Sequence, residues 1–563
     1  MEILLKNYSF LKDDALALAE AVHNCKNGDT LHLGGGVIEI NNMFATPETY
    51  YLPRYSDSKK YYAFYFENLD NITIDGDGAE LIFDGDISPF GFKNCRNIIL
   101  KNFKVDYKMP YFVQGLIVKA TDEYIDVKYD SKNYVCRYNE QSKKLYAHSV
   151  NSDFVLDISA SLTNEFEVKP MRPIDTTPDY FLCTGNAHPV YGNMSVLVDV
   201  QELDNNLFRF SFRNKSIKHN AGNYIVQADH ERRNTNFHFL LCENIHMENI
   251  DMYASSSFGI VALLCKNFEA KNVNSIIKPN SGRALAVNAD IFHLVNTSGT
   301  VKISHCTMEN NMDDSLNIHS LFSVVRSKIN EKTLIADFTY FAKKALNLYR
   351  TGEKLNVLDK NTFQKYKTLT VLKSELIGEY CLRVEFEEDI NDVKQNDLFE
   401  SDDAKPKVFL SNCKCGNNRG RGFLVPTGRK TTIENCRFYN HGSGISANGA
   451  SMAYLEGSAI NGLVVRNNIF CNCAPLPYDY PISIKPLAID ENSSAPYHKN
   501  IDIDNNMFVH NGMRFINIEC ASKIKIKDNL YRCDKSLPFH NDVSNKGINC
   551  LNCIDVDDSN GFV

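Results

Sequence analysis

Alternation of apolar and polar residues in very short runs dominates this chain. Asp70-Asn71-Ile72-Thr73-Ile74 and Arg96-Asn97-Ile98-Ile99-Leu100 set the form, 26 residues apart. It returns at Glu243–Met247, Thr300–Ile303, Thr431–Ile433, Leu463–Val465, Asn500–Ile503 and Lys523–Ile526. Each run predicts a strand of three to six residues with one side chain inward and the next outward. Asn or Gly usually closes the run, and Asn tolerates the left-handed turn that follows. One stripe differs. Leu11, Ala15, Leu18 and Val22 are spaced four, three and four, which predicts an amphipathic helix. Gly28-Asp29-Thr30-Leu31-His32-Leu33 then reads as a turn into a strand, so the helix would cover the open end of a stack of strands.

The runs repeat at a fixed interval. Cys242 and Cys265, Asn249 and Asn272, Ile501 and Ile524, Ile503 and Ile526, and Asn506 and Asn529 are all 23 residues apart. Such a period means one unit stacked repeatedly, with residues one period apart becoming neighbours. With no helical repeat in the pattern, the expected fold is an all-β, right-handed parallel β-helix. Two stretches break the rhythm with longer alternations, Tyr124–Tyr129 with Leu207–Phe212, and Thr333–Phe338 with Cys381–Phe386. They predict antiparallel, barrel-like insertions. The expected division is an N-terminal cap and first coils at 1–107, an insertion at 108–233 and coils at 234–320. A second insertion at 321–406 and C-terminal coils at 407–563 complete it.

Composition narrows the function. A chain of 563 residues with 43% hydrophobic and 23% charged residues can bury a large core. The net charge of −8 comes without a basic tract, so nucleic acid is not an expected partner. No apolar run approaches a membrane span. Met1–Lys6 lacks the long apolar region of a signal peptide, which predicts a cytoplasmic protein as written, or a secreted one if a leader has been removed. A homo-oligomer is compatible with these features. Seventeen cysteines lie mostly within or beside the short runs, as Cys95, Cys242, Cys265, Cys306 and Cys436 do. That setting predicts buried free thiols in a reducing compartment. Cys413-Lys414-Cys415 and Cys471-Asn472-Cys473 lack zinc-site spacing, and neither metal nor cofactor is expected.

Candidate chemistry concentrates in two acids and their upstream partner. Asp313 and Asp314 are adjacent, and Asp290 lies 23 and 24 residues before them, one repeat away. Paired Asp on a solvated turn is commonplace, but here Phe292, Leu316 and Ile318 embed the acids in strand-like sequence. Alternation cannot show both neighbours on one face, so a bulge or turn must aim them. With a coil rise of about 4.8 Å, acids on adjacent coils would be roughly 5–9 Å apart. Glycoside hydrolysis needs such a pair, about 5–5.5 Å for retention and about 6.5–9.5 Å for inversion. Mutual repulsion would help one acid stay protonated. His293 and His319 are suited to hold sugar hydroxyls or tune an acid. Arg419 and Arg421, at alternate positions around Gly420, are expected to share a strand face, with Arg421 able to clamp an acid or a hydroxyl. Glu456 is a weaker substrate-binding candidate.

Three segments resemble glycoside hydrolase family 110, the bacterial exo-acting α-1,3-galactosidases: Asn288–His293, Met312–His319 and Arg419–Asn435. The stretch from Glu456-Gly457 to Asn467-Asn468 is also similar to that family. The resemblance implies a parallel β-helix with barrel insertions that releases terminal α-1,3-linked galactose with inversion. It places Asp290, Asp313 and Asp314 in the acidic catalytic cluster; the division of roles does not come from the resemblance, and the expectation taken here is Asp290 as acid and Asp313 or Asp314 activating water. The chain departs from the family in having no Trp, and in Leu455 standing where an aromatic is expected before Glu456. A sugar platform would then come from Tyr or Phe, such as Tyr454. The alternatives are a polygalacturonase-like hydrolase, a calcium-dependent lyase, or a glycan-binding β-helix without catalysis. The expected partner in each case is an oligosaccharide.

Overall fold

The computed structural model describes residues 1–50, 58–158, 164–171, 178–183, 197–212, 219–228, 233–338, 346–378, 380–450, 454–474, 479–487, 495–537 and 547–562. Almost all regular structure in them is strand, with a 3-10 helix at Leu5–Leu11 and an α-helix at Asp14–His23. Asp13 caps the α-helix by accepting from the Leu16 amide at 2.8 Å. Ala15, Leu18 and Val22 are buried, as the apolar stripe predicts.

Parallel strands stack in two main ladders. In the first, Ile98 pairs with Ile245, Ile245 with Phe268 and Phe268 with Val301, and the register runs on to Ile501 and Ile524. Alternate residues point inward, so Ile245, Met247, Ile250 and Met252 are buried along one strand while their neighbours are not. The second ladder stacks Phe90, Phe237, Ile260, Phe292, Leu316, Phe423, Ile445, Ile482 and Ile516 as its innermost column. Phe90 and Phe237 stack at 4.8 Å between ring centroids. These apolar columns are the main source of stability, at about 1.5–3 kcal/mol per fully buried large side chain.

Several strands are longer than the three to six residues the alternation predicts, Asp70–Asp84 and Arg96–Tyr107 among them. The reason is that the chain turns a corner without losing its pairing. Asn102, Asn249 and Asn272 take φ of 62°, 55° and 52°, and their side-chain amides stack at 3.2 and 2.9 Å. Asn accepts this conformation at little cost and bonds to its own copy one coil away. The cysteines Cys95, Cys242, Cys265, Cys306 and Cys436 are free and buried.

Antiparallel sheets flank the coils. Strands between Phe112 and Ala228 form a seven-stranded sheet in which Tyr124–Tyr129 pairs with Leu207–Phe212. Its approach segment is fastened to the acid-bearing coil. The Asn288 amide donates to the Tyr111 carbonyl at 2.9 Å, and Arg283 and Lys278 hold Asp106 at 2.6 and 2.8 Å. Further on, Leu316–Lys328 leaves the parallel ladder within a single strand and pairs antiparallel with Thr333–Asp337 and Leu398–Ser401. Successive pairings through Cys381–Phe386, Lys365–Leu376 and Lys354–Leu358 return to Leu398–Ser401, closing a six-stranded ring. Among the described residues, no helix is long and apolar enough to cross a membrane.

Candidate active site

The acids are aimed by register and turns. Phe292 pairs with Leu316 and Leu316 with Phe423, so Asp290, Asp314 and Arg421 each stand two residues before the paired position. They stand level with one another on three successive coils. The interval at this coil is 24 residues, so Asp290 is level with Asp314, and Asp313 is level with Ala289 and Gly420. A Cβ on Gly420 would lie 2.4 Å from the Asp313 carbonyl carbon, so only glycine permits this approach. Asp313 and Asp314 occupy the turn between the strands Thr307–Glu309 and Leu316–Lys328, where strand alternation no longer applies. The buried Asn311 amide clamps that turn, donating to the carbonyls of Asp313 at 2.7 Å and Asp314 at 2.9 Å. Asn418 holds the Asp313 carbonyl from the next coil at 2.7 Å.

Oxygens of Asp290, Asp313 and Asp314 lie within 4.8 Å of one another, closer than the 5–9 Å expected from coil spacing. The tightening comes from the turn, which brings Asp313 and Asp314 back over Asp290. Asp290 and Asp314 are buried, while Asp313 is half-buried. Asp290 Oδ1 accepts from the Asp314 amide at 3.2 Å, and Oδ2 lies 2.7 Å from His293 Nδ1. Arg421 grips Asp314 completely. Its Nε and backbone amide both donate to Oδ1 at 2.8 Å, and its NH2 group donates to Oδ2 at 2.7 Å.

Electrostatics follows from this crowding. Burial pushes the Asp314 carboxyl up to about 7, and Asp290 and Asp313 add to that, against the pull of Arg421. Three donors on its two oxygens nevertheless suit the carboxylate, and the guanidinium neutralises its charge. Burial would lower the Arg421 pKa, but Asp314, Asp313 and Glu456 outweigh it and hold the side chain above the ordinary arginine value. His319 is neutral. Burial first, then the neighbouring His293, depresses it to about 3.

Most of the candidates assemble here. The His293 and His319 rings meet edge to face at 5.4 Å, and Glu456 Oε1 lies 3.8 Å from His319 Nε2. His319 Nδ1 is bonded to the Ser320 carbonyl at 2.9 Å. One expectation is corrected. Arg419 and Arg421 do not share a strand face, because both precede the strand Phe423–Leu424 and lie in its entry turn. Arg419 is half-buried there, and Tyr454 is 44% exposed in the turn before Glu456. Sequence reading overlooked Asn311 and Asn418, although each stands three residues before a member of the column, Asp314 and Arg421. It also overlooked Phe258, whose ring packs 4.7 Å from that of His293.

The three carboxylates could offer oxygens to a cation. The donor set fits a hard metal poorly, since Arg421 occupies both oxygens of Asp314 and already supplies positive charge. A second grouping, His32, Asp75 and Asp77, lies on the first coils far along the chain from these acids.

No family model matches the chain. It is 28% identical over 502 residues to alpha-1,3-galactosidase B of Bacteroides thetaiotaomicron, covering 87% of this chain and 79% of that protein. Over 514 residues it is 26% identical to alpha-1,3-galactosidase A of Shewanella woodyi, covering 88% and 79%. Alpha-1,3-galactosidase A of Bacteroides thetaiotaomicron is 24% identical over 551 residues, covering 94% and 89%. Among solved structures, the family 28 exopolygalacturonase of Yersinia enterocolitica aligns with a TM-score of 0.41 at 10% identity, over 99% of this chain and 78% of that one.

Proposed function

We propose that this protein is a glycoside hydrolase that releases terminal α-1,3-linked galactose from oligosaccharides or glycoconjugates, with inversion at the anomeric carbon. The observation that carries the reading is the acid cluster itself, three carboxyls within 4.8 Å on two coils, backed by an arginine and two histidines. Similarity to proteins named alpha-1,3-galactosidase over most of their length supports the sugar and the linkage. Family 110 is the assignment the sequence motifs favour.

In this reading the three acids divide the work. Asp314, held in place by Arg421, shapes the site. Asp290 is the general acid. It gives its proton to the glycosidic oxygen as the bond to the anomeric carbon breaks, and His293 at 2.7 Å holds it in place. Asp313, the half-buried member, takes a proton from a water that attacks the anomeric carbon from the opposite face. The closest oxygens are nearer than the roughly 6.5–9.5 Å of inverting carboxyl pairs, so inversion requires the Asp313 side chain to swing away from Asp290 when sugar and water enter.

The test is to incubate the protein with galactose-α-1,3-galactose and follow released sugar by proton NMR in the first minutes. Prompt β-galactose is the expected product. Immediate α-galactose would refute inversion, and no release from linear or branched α-1,3-galactosides would refute the substrate.

A further inference from the structure

Two bonds fix the Asp290 carboxyl, and they differ in kind. Oδ1 lies 3.2 Å from the Asp314 amide, and a backbone N–H can only donate, so Oδ1 is an acceptor. A proton carried by Asp290 therefore sits on Oδ2, the oxygen 2.7 Å from His293 Nδ1. That separation falls at the short end of the range for charge-assisted N–H···O bonds, about 2.7–2.9 Å. Two titratable groups this close do not bind protons independently, and a proton between them belongs to the pair.

His293 is walled in, which turns it toward Asp290 and away from sugar. It is 5% exposed and pairs with Val261 on the preceding coil and Asn317 on the next. The Phe258 ring packs 4.7 Å from its ring and the edge of His319 meets it at 5.4 Å. Val261, Phe258 and Asn317 do not titrate. His319 donates from Nδ1 to the Ser320 carbonyl and is kept neutral by burial, with Glu456 3.8 Å from its other nitrogen. His238, one coil beyond Val261, is 3.0 Å from the Tyr62 hydroxyl. On the far side of Asp290 stand Asp313 and Asp314, and Arg421 spends its donors on Asp314. Among the described residues, His293 is thus the titratable side chain bonded to Asp290.

We propose that Asp290 and His293 work as a single acid, with the proton for the glycosidic oxygen held between Oδ2 and Nδ1. His293 is then a positioning residue that acts through Asp290 and does not contact sugar. In the loaded state the pair carries one proton more than a carboxylate beside a neutral imidazole. That proton leaves from Oδ2 for the glycosidic oxygen as the bond to the anomeric carbon breaks. It leaves behind an Asp290 carboxylate that accepts from the Nδ1–H of a neutral ring. Asp313 gains the proton of the attacking water in the same step, and exchange with solvent then resets both. The inference rests on the proposed hydrolase in giving Asp290 the role of acid.

His293→Asn separates holding a proton from holding a position, since its amide can donate to Oδ2 but cannot bind the extra proton. On galactose-α-1,3-galactose the variant is expected to lose about 10²-fold or more in kcat/KM at pH 7. The alkaline limb of its pH profile should move to lower pH by about one unit or more, so that activity recovers toward pH 5. On an activated α-galactoside whose leaving group needs no proton, it should keep most of the parent's rate. A parent-like pH profile, or equal losses on both substrates, would overturn the proposal. Proton NMR of the unmodified protein keeps the test decisive if the variant does not fold. The buried, shared proton should give a far-downfield resonance that is absent from Asp290→Asn, and a parent spectrum without it would also overturn the pair. Failure of the galactosidase reading shows separately, as absence of hydrolysis by the unmodified enzyme, and the downfield resonance is expected even then.

Discussion

Replacing Arg421 with Met isolates the electrostatics of the acid cluster. The substitution keeps an unbranched side chain of similar reach but removes two charge-assisted hydrogen bonds from Asp314, whose side chain is 2% exposed. Breaking a buried ion pair costs about 3–5 kcal/mol, and the one-third exposure of Arg421 trims that to about 2–4 kcal/mol. The cost must depend on pH. Asp314 is held at about 7, above its unfolded value, so folding takes up a proton and stability falls as pH rises from about 4 to 7. Without Arg421, burial and the two neighbouring acids are unopposed, and the carboxyl moves higher still. At pH 5 the variant buries a neutral acid and loses about 1–2 kcal/mol of hydrogen bonding, whereas at pH 8 it bears the full penalty. For a chain of 563 residues about 1 kcal/mol shifts Tm by roughly 1 °C. Calorimetry should therefore show a gap to the parent of about 1–2 °C at pH 5 that widens to about 2–4 °C at pH 8. Adding Asp314→Asn should narrow the gap at pH 8. A gap that is equal at both pH values, or absent at pH 8, would refute the reasoning.

Three further outcomes follow. Gly420→Ala should lower Tm and activity together, because its Cβ would meet the Asp313 backbone at 2.4 Å and overpacking costs about 1–3 kcal/mol. Asp290→Asn should cut kcat by about 10²–10⁴ with unchanged melting, and kinetics on an activated substrate that needs no proton should recover part of the loss. His319 and His498 are both buried and depressed to about 3, so their contribution is full above pH 6.5 and is lost as pH falls toward 3. Each contributes a slope of about 1.4 kcal/mol per pH unit in that window, partly offset above pH 4 by Asp314, so His498→Gln should flatten the acid side of a Tm–pH curve.

How far the sequence reaches can be judged residue by residue. Period and alternation identify the stacked coils because inward residues repeat in register, as Ile501 on Ile524 does. The same logic finds Asp290 one coil from Asp313 and Asp314. It does not reveal which of the pair is level with Asp290, since the recurring interval of 23 points to Asp313. The coil that bears the acids is one residue longer, and the pairing of Phe292 with Leu316 shows this only in three dimensions. Nor does alternation predict that Arg421 reaches Asp314, because both stand in turns whose geometry is set by Asn311, Asn418 and Gly420. Strand periodicity carries no information about such turns.

The most direct test of the central claim, that Asp290 and Asp313 on adjacent coils carry out the hydrolysis, is chemical rescue. Asp313→Ala would be assayed on an α-galactoside with and without azide, with products identified by NMR. The account predicts loss of hydrolysis in the variant, and its partial recovery with azide as β-galactosyl azide, since the small anion attacks where the activated water would. Hydrolysis that survives Asp313→Ala, or azide that appears as the α-galactosyl product, would contradict it.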